Sequence, residues 1–347
     1  MIDLFINNRA GFFPFTAGVS LRGVKRKYYF ELLRRIFAGD YPLEHVTKCY
    51  CGCSDLEILS AQERFALPFG TKICISCGLI QLSPRICAKS LPNFYNEIYY
   101  GLILGGDIKE LSSIDCRMAR NTYELLRKDA IAVFSGEELK VIDIGCGSGV
   151  RLKEMIHLAK AEGIKLRGLG CDYSRRAVEI SAKKNIDCRL GGVKSLEGEK
   201  ADIVILSHVI EHFVDIKSEF ESINKLMKKG SYLYIEVPGV EDLVNRAEYG
   251  YDYLLYSVMA HIYNFNLASL RSVVEPLGFE FISGDEYIRS VFRFNPGYRS
   301  SLDLSGNYKR IISALESAEK KRRVFESMRW LRLGNVSRML KNAFLKG

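Results

Sequence analysis

Cys49-Tyr-Cys51-Gly and, 22 residues on, Cys74-Ile-Ser-Cys77-Gly form two short cysteine pairs, each followed by a glycine that permits a tight turn. Four thiolates brought together by such knuckles suit one tetrahedral zinc ion, so Cys49, Cys51, Cys74 and Cys77 are the metal candidates, with Cys53 a competing ligand. A second chemistry is written in Asp143-Ile144-Gly145-Cys146-Gly147-Ser148-Gly149. Glycines there let the backbone turn sharply against a ligand, and a following helix would offer unpaired N–H groups to an anion. Asp172 lies 23 residues beyond Gly149, where a carboxylate can accept hydrogen bonds from both hydroxyls of a ribose. A third group combines His208, Glu211 and His212 with His261, histidines being the side chains that exchange protons near neutral pH. The H-x-x-E-H string can also hold a metal when a further ligand completes it. Tyr95, Tyr99 and Tyr100 form a cluster whose rings can close a cleft and attract a cation.

These residues need a scaffold that brings them together, and the hydrophobic pattern supplies one. From Leu139 to about Pro296, short apolar runs alternate with amphipathic segments, the pattern of a doubly wound α/β sheet. Strands are expected at 140–144, 166–171, 201–207, 231–237, 279–283 and 290–294, with a weaker one near 186–190, making a mostly parallel, Rossmann-like sheet of seven strands. Helices are expected at 28–38, near 114–134, at 151–162 and at 216–228, and the last block, 309–346, is helical with an interruption at Gly334. The glycine loop then falls between the first strand and its helix, Asp172 ends the second strand, and His208 follows the fourth at the carboxyl edge where such sheets bind ligands.

VIDIGCGSG, then GCDYS, then DIVILSHVIEHFVD, then KKGSYLYIEVPG, resemble the consecutive cofactor motifs of class I methyltransferases that use S-adenosylmethionine (SAM), over roughly residues 139–285. That resemblance implies that Asp143, Gly145, Cys146 and Gly147 line the methionine end of the cofactor, that Asp172 holds the ribose, and that Gly192 and Val193 lie near the adenine. By the same resemblance Ser207 and His208 close the pocket; Tyr95 and Tyr99 are cofactor candidates on their own chemistry, as rings that can face the sulfonium, with interdomain packing the alternative. His261 resembles the histidine of an H-x-x-x-F segment that enters the acceptor pocket, so His261 and His208 are the catalytic candidates. The order CYCG, RFALPFGTKICISCGLIQLSPR, FYNEIYY is similar to the amino-terminal zinc module of bacterial methyltransferases of surface polysaccharide and deoxysugar pathways. The implied acceptor is a small or carrier-linked sugar. A nicotinamide dehydrogenase is disfavoured, because its loop reads G-x-G-x-x-G and this one reads G-x-G-x-G.

Length and charge set the remaining bounds. A chain of 347 residues exceeds one hydrophobic core. The expected division is an N-terminal helical segment (1–48), a zinc-ribbon module (49–90), a helical connector or lid (91–138), the SAM-binding domain (139–300) and a basic helical tail (301–347). The net charge of +9 concentrates after residue 308, where eleven Lys or Arg face Glu316, Glu319 and Glu326. A near-neutral main body disfavours a nucleic-acid partner, although an RNA methyltransferase guided by the ribbon and tail is the rival enzyme reading. A non-catalytic scaffold retaining the fold is the other. In the tail, Val336, Met339, Leu340 and Ala343 share a face flanked by Arg338 and Lys341, which predicts either a helix that docks on a partner or an anionic membrane surface or a solvated helix packed on the core. No apolar run approaches the roughly 20 residues of a membrane span, and Met1–Ala10 lacks the order of a secretion signal. A cytoplasmic protein, peripheral at most to the inner membrane face, is expected, with no structural disulfides.

Overall fold

In the computed structural model the described residues are 19–106, 113–136 and 138–344, without the side chains of 104, 113–115, 131 and 329–344. Helix α1 (Val24–Phe37) opens this part, followed by strands β1 (Leu43–Glu44), β2 (Leu56–Ser60), β3 (Thr71–Cys74), β4 (Ile80–Leu82) and β5 (Arg85–Ile86). A helical turn, Leu91–Phe94, continues into a π-helix over Tyr95–Leu104. Helix α2 (Ser113–Asp129) leads into the sheet: β6 (Leu139–Ile144), α3 (Val150–Ala161), β7 (Leu166–Asp172), α4 (Arg175–Lys183), β8 (Asp187–Leu190), β9 (Ala201–Ser207), α5 (Ile216–Leu226) and β10 (Met227–Glu236). Then come β11 (Tyr263–Asn264), α6 (Leu267–Val274), β12 (Phe279–Gly284), β13 (Arg289–Phe294) and the long α7 (Asn307–Phe344).

Seven strands form one sheet in the order β12-β13-β10-β9-β6-β7-β8. The five from β8 to β10 are parallel, and β13 is inserted antiparallel between β10 and β12. This is the expected doubly wound α/β fold, with every predicted strand present within a few residues. The reason lies in burial: Ile203–Leu206 and Leu233–Ile235 are covered on both faces, so their strands are near-continuous apolar runs. The order reverses at β6, and the carboxyl ends of β6, β7 and β9 open onto the crevice there.

The cysteine segment does not stand apart as a separate unit. Strands β2, β3 and β4 make an antiparallel sheet whose fourth strand, β11, comes from the segment after β10. Cys49, Cys74, Cys77 and Leu79 belong to the same hydrophobic core as Ile144, Leu206 and Phe265. The expected boundary between 49–90 and 139–300 is therefore crossed by both pairing and packing. Arg64, on the loop between β2 and β3, donates to the carbonyls of Ser257 (3.1 Å) and Tyr256 (3.0 Å) and strengthens the join.

The C-terminal helix departs from expectation at Gly334, and its first turns take the core-packed alternative. It runs through Gly334 without interruption, because one glycine costs a long helix only about 1 kcal/mol. Its first turns are not a free tail: Ile311, Leu315 and Ala318 are buried against Leu59, Ile73, Ile80 and Tyr253, and Asn307 donates to the Cys77 carbonyl (2.8 Å). Several of its cations are spent internally, Arg310 on Glu241 and Glu286, and Arg322 on Glu319 and Glu326. The proposed docking face over 336–343 lies outside the described side chains.

Candidate active site

Strand β6 ends in Asp143 and Ile144, and the chain turns through Gly145 (φ 68°), Gly147 (φ 54°) and Gly149 (φ 72°) into α3. A side chain at 145 would strike Val209 at 2.6 Å, whereas a Cβ at 147 would meet no protein atom within 4 Å. The loop therefore packs at one glycine and leaves its surface free at the other. Asp172, at the end of β7, accepts from the Gly147 N–H (2.9 Å) through one oxygen and from the Ser174 N–H (2.7 Å) through the other. Burial raises its pKa, opposed by those two N–H groups and by the Tyr100 hydroxyl beside it. Each oxygen keeps a lone pair for a further donor.

Above these residues lies a cavity of about 450 Å³, within the usual range for small-molecule sites. Of the sequence candidates, Gly145, Gly147, Asp172, Gly192, Val193, Ser207, His208, Tyr95 and Tyr99 line it, joined by Tyr100 and His212. Two are corrected. Asp143 is 2% exposed and sits behind the loop, its pKa pushed up to about 7 by burial. Cys146 turns its thiol under the loop, 3.2 Å from that of Cys188. Both support the wall without lining the cavity.

The tyrosine lid owes its form to the π-helix. With i→i+5 hydrogen bonds the turn widens, and Tyr95, Tyr99 and Tyr100 all reach the cavity. Tyr95 and Tyr99 meet the His212 ring edge-to-face at 5.8 and 6.0 Å. Gly101 sets the helix against α1, since a Cβ there would lie 2.1 Å from the Tyr28 ring.

The histidines gather round a buried acid. Glu211 is 1% exposed and neither of its oxygens accepts a well-formed hydrogen bond. Its Oε1 lies 3.5 Å from His208 Nδ1 and 4.0 Å from Nε2 of both His212 and His261. Burial by itself would raise the Glu211 pKa, but the three imidazoles outweigh it and hold the group at about 2. At His208 burial favours the neutral ring, yet the Glu211 carboxylate prevails and the pKa is raised. His261 is the opposite case: burial, then the neighbouring His212, lowers its pKa well below the ordinary value. His208, at φ 57°, faces the cavity. His261 sits behind His212, with ring centroids 5.0 Å apart, and outside the cavity wall. His212 is on that wall, its Nδ1 2.7 Å from the Ala260 carbonyl. Glu211, His212 and His261 also place one ligand atom each within 4.8 Å of one another, a set that a divalent cation could join.

A residue missed from sequence is Arg151, in the first turn of α3. It donates to Thr122 and Ser207 and pairs with Glu236 at 3.3 Å, fixing the ends of β9 and β10 beside the loop. A basic residue two positions after the last loop glycine was the available signal.

At the second cluster, the Sγ atoms of Cys49, Cys51, Cys74 and Cys77 lie within 4.8 Å of one another. The Cys49–Cys77 and Cys51–Cys74 separations, 3.5 and 3.7 Å, approach the edge of about 3.8 Å that four Zn–S bonds of about 2.3 Å define. The hydrogen bond shared by Cys49 and Cys77 lowers the Cys77 pKa and raises that of Cys49. Cys53 is outside the group, accepting instead from the Asp55 N–H at 3.4 Å.

The strand order, the glycine loop and the acid at the end of β7 define a methyltransferase-type α/β domain, and residues 114–283 match the family model described as "Methyltransferase domain". The chain thus carries the domain of a class of enzymes. Among curated proteins it is similar to the ubiquinone biosynthesis O-methyltransferase of Bartonella tribocorum, 29% identical over 114 residues that make up 31% of this chain and 44% of that one. The protein of the same description from Bartonella bacilliformis is 22% identical over 208 residues, 54% of this chain and 77% of the relative. The chain spans less than half the length of the first curated relatives it matches. Solved structures with similarity include the plantazolicin methyltransferase BpumL (14% identity, 60% of this chain and 80% of that one, TM-score 0.41). Another is the magnesium protoporphyrin IX methyltransferase ChlM of Synechocystis PCC 6803 (19% identity, 59% and 98%, TM-score 0.39).

Proposed function

We propose that the protein transfers a methyl group from SAM to a hydroxyl of a small or carrier-linked acceptor, a sugar of a surface glycan. The observation that carries this reading is that the glycine loop, Asp172, the tyrosines and His208 line one and the same cavity. SAM supplies a methyl carbon already activated by a sulfonium leaving group, so alignment and removal of one proton suffice. In this reading Asp172 holds the ribose, Gly192 and Val193 border the adenine, and Tyr95 and Tyr99 face the positive sulfur. His208 takes the acceptor's proton while Glu211 behind it stabilises the resulting imidazolium, and His212 positions the acceptor. His261, with its lowered pKa, keeps His212 and Glu211 in place.

The relatives' description as O-methyltransferases supports oxygen as the acceptor atom, and the order of the cysteine and tyrosine segments supports a sugar. An acceptor of ubiquinone biosynthesis is the second reading, favoured by those same descriptions. The four-cysteine cluster fits one zinc ion on its Sγ separations, with Cys49, Cys51, Cys74 and Cys77 as ligands and a structural role.

Calorimetric titration of SAM into the wild type and Asp172→Ala tests the cofactor site. Two charge-assisted hydrogen bonds at about 1.5–3 kcal/mol each predict a loss of about 100-fold or more in affinity. A folded variant that binds SAM as the wild type does would refute the assignment. Turnover with sugar nucleotides, lipid-linked glycans, quinone precursors and RNA then ranks the acceptors. If turnover vanishes on chelation at intact zinc content and returns with a divalent cation, Glu211, His212 and His261 act through a metal instead.

A further inference from the structure

The thiols of Cys146 and Cys188 touch, at 3.2 Å, beneath the cofactor cavity. Their meeting depends on Gly170, the β7 partner of Cys188, because a Cβ at 170 would lie 2.4 Å from the Cys146 sulfur. Cys146 belongs to the glycine loop, anchored by its own N–H to the Cys171 carbonyl at 3.0 Å. Cys188 lies on β8, whose end feeds Gly191, Gly192 and Val193 into the opposite wall of the same cavity. The pair therefore joins two walls of one pocket. Cys146 is buried and Cys188 partly exposed, which makes Cys188 the more accessible of the two to a small oxidant.

We propose that Cys146 and Cys188 are a reversible oxidation site, closing to a disulfide under peroxide and switching the cofactor pocket to a weakly binding form. This rests on the SAM-binding reading above. The shared hydrogen bond lowers the Cys188 pKa and raises that of Cys146, which makes Cys188 the attacking thiolate. Its sulfur attacks one oxygen of hydrogen peroxide, the O–O bond breaks, and a sulfenic acid and hydroxide result. The Cys146 sulfur then attacks that of Cys188 and expels the second hydroxide as the S–S bond forms. The protons released by the two thiols convert both hydroxides to water, so two thiols and one peroxide give one disulfide and two waters. At a bond length of about 2.05 Å the two sulfurs come roughly 1 Å closer, a shift shared between the side chains, the loop and β8. That displaces Gly147 from its bond to Asp172, and a site aligned to this tolerance loses affinity.

The test uses the full reduced chain, treated with hydrogen peroxide, alkylated and digested without reductant, with SAM titrated before treatment, after it and after dithiothreitol. The expected result is a linked peptide pair containing Cys146 and Cys188, lighter by two hydrogens, and SAM affinity at least about tenfold weaker until reduction. Cys188→Ser, outside the cavity wall, keeps its starting affinity throughout. Absence of the link, a link that leaves SAM affinity unchanged, or equal loss in Cys188→Ser, which would place the effect at the cysteine cluster, overturns the proposal. No SAM binding by the reduced wild type sinks the methyltransferase reading instead, and the switch with it, while the linked peptides still report whether the thiols oxidise.

Discussion

His208 and Glu211 form a dyad whose two members shift each other in opposite directions, the carboxylate down and the imidazole up. A base is active when unprotonated, so kcat/KM should rise with pH through an inflection above the ordinary histidine value. Glu211→Gln removes the charge that retains the proton and should move that inflection to lower pH; a profile that stays in place would remove Glu211 from the mechanism. His208→Ala should cost about 10²–10⁴ in kcat with SAM affinity little changed, whereas His261→Ala should cost less. Glu211 contributes to stability with the sign of a depressed acid. Its contribution is complete above the unfolded carboxylate range and is lost as pH falls through about 2. The loop, Asp172 and the four-cysteine cluster were legible from spacing alone, because each is a local motif. The choice among histidines was not, since it turned on which ring faces the cavity and which is buried behind another.

The lid is an element-scale device. Tyr95, Tyr99 and Tyr100 were visible in the sequence, but a π-helix was not, because whether a turn closes at i+4 or i+5 depends on what packs against it. Here α1 packs against it, with Tyr28 over Gly101. Gly101→Ala should force the two helices apart, costing about 1–3 kcal/mol, lowering Tm and weakening SAM binding together. An unchanged Tm would show that the contact yields without cost. Strand β11 is a second element no pattern foretells: two residues, Tyr263 and Asn264, complete the cysteine sheet and place His261 next to Glu211.

For the whole molecule, the shared core means that the cysteine cluster and the sheet should unfold as one. With the cluster holding zinc as proposed, a chelator should lower a single Tm rather than create a separate early transition, and calorimetry distinguishes the two. Ile311→Ala, at the contact between α7 and the cysteine sheet, should cost about 2–5 kcal/mol as a cavity in a buried interface. A purely solvated tail would lose almost nothing.

The sequence by itself determined the α/β sheet, the loop-and-acid pair and the paired cysteines. Alternation of apolar runs, glycine at forced turns and ligand spacing are all short-range properties of a chain. Only the tertiary structure decided that the cysteine segment and the sheet share one core, that α7 begins as a brace, that Cys146 meets Cys188, and that His208 rather than His261 faces the cavity. Each of these joins residues tens to hundreds of positions apart, and the packing that selects such contacts is a sum over many weak interactions that no local pattern records.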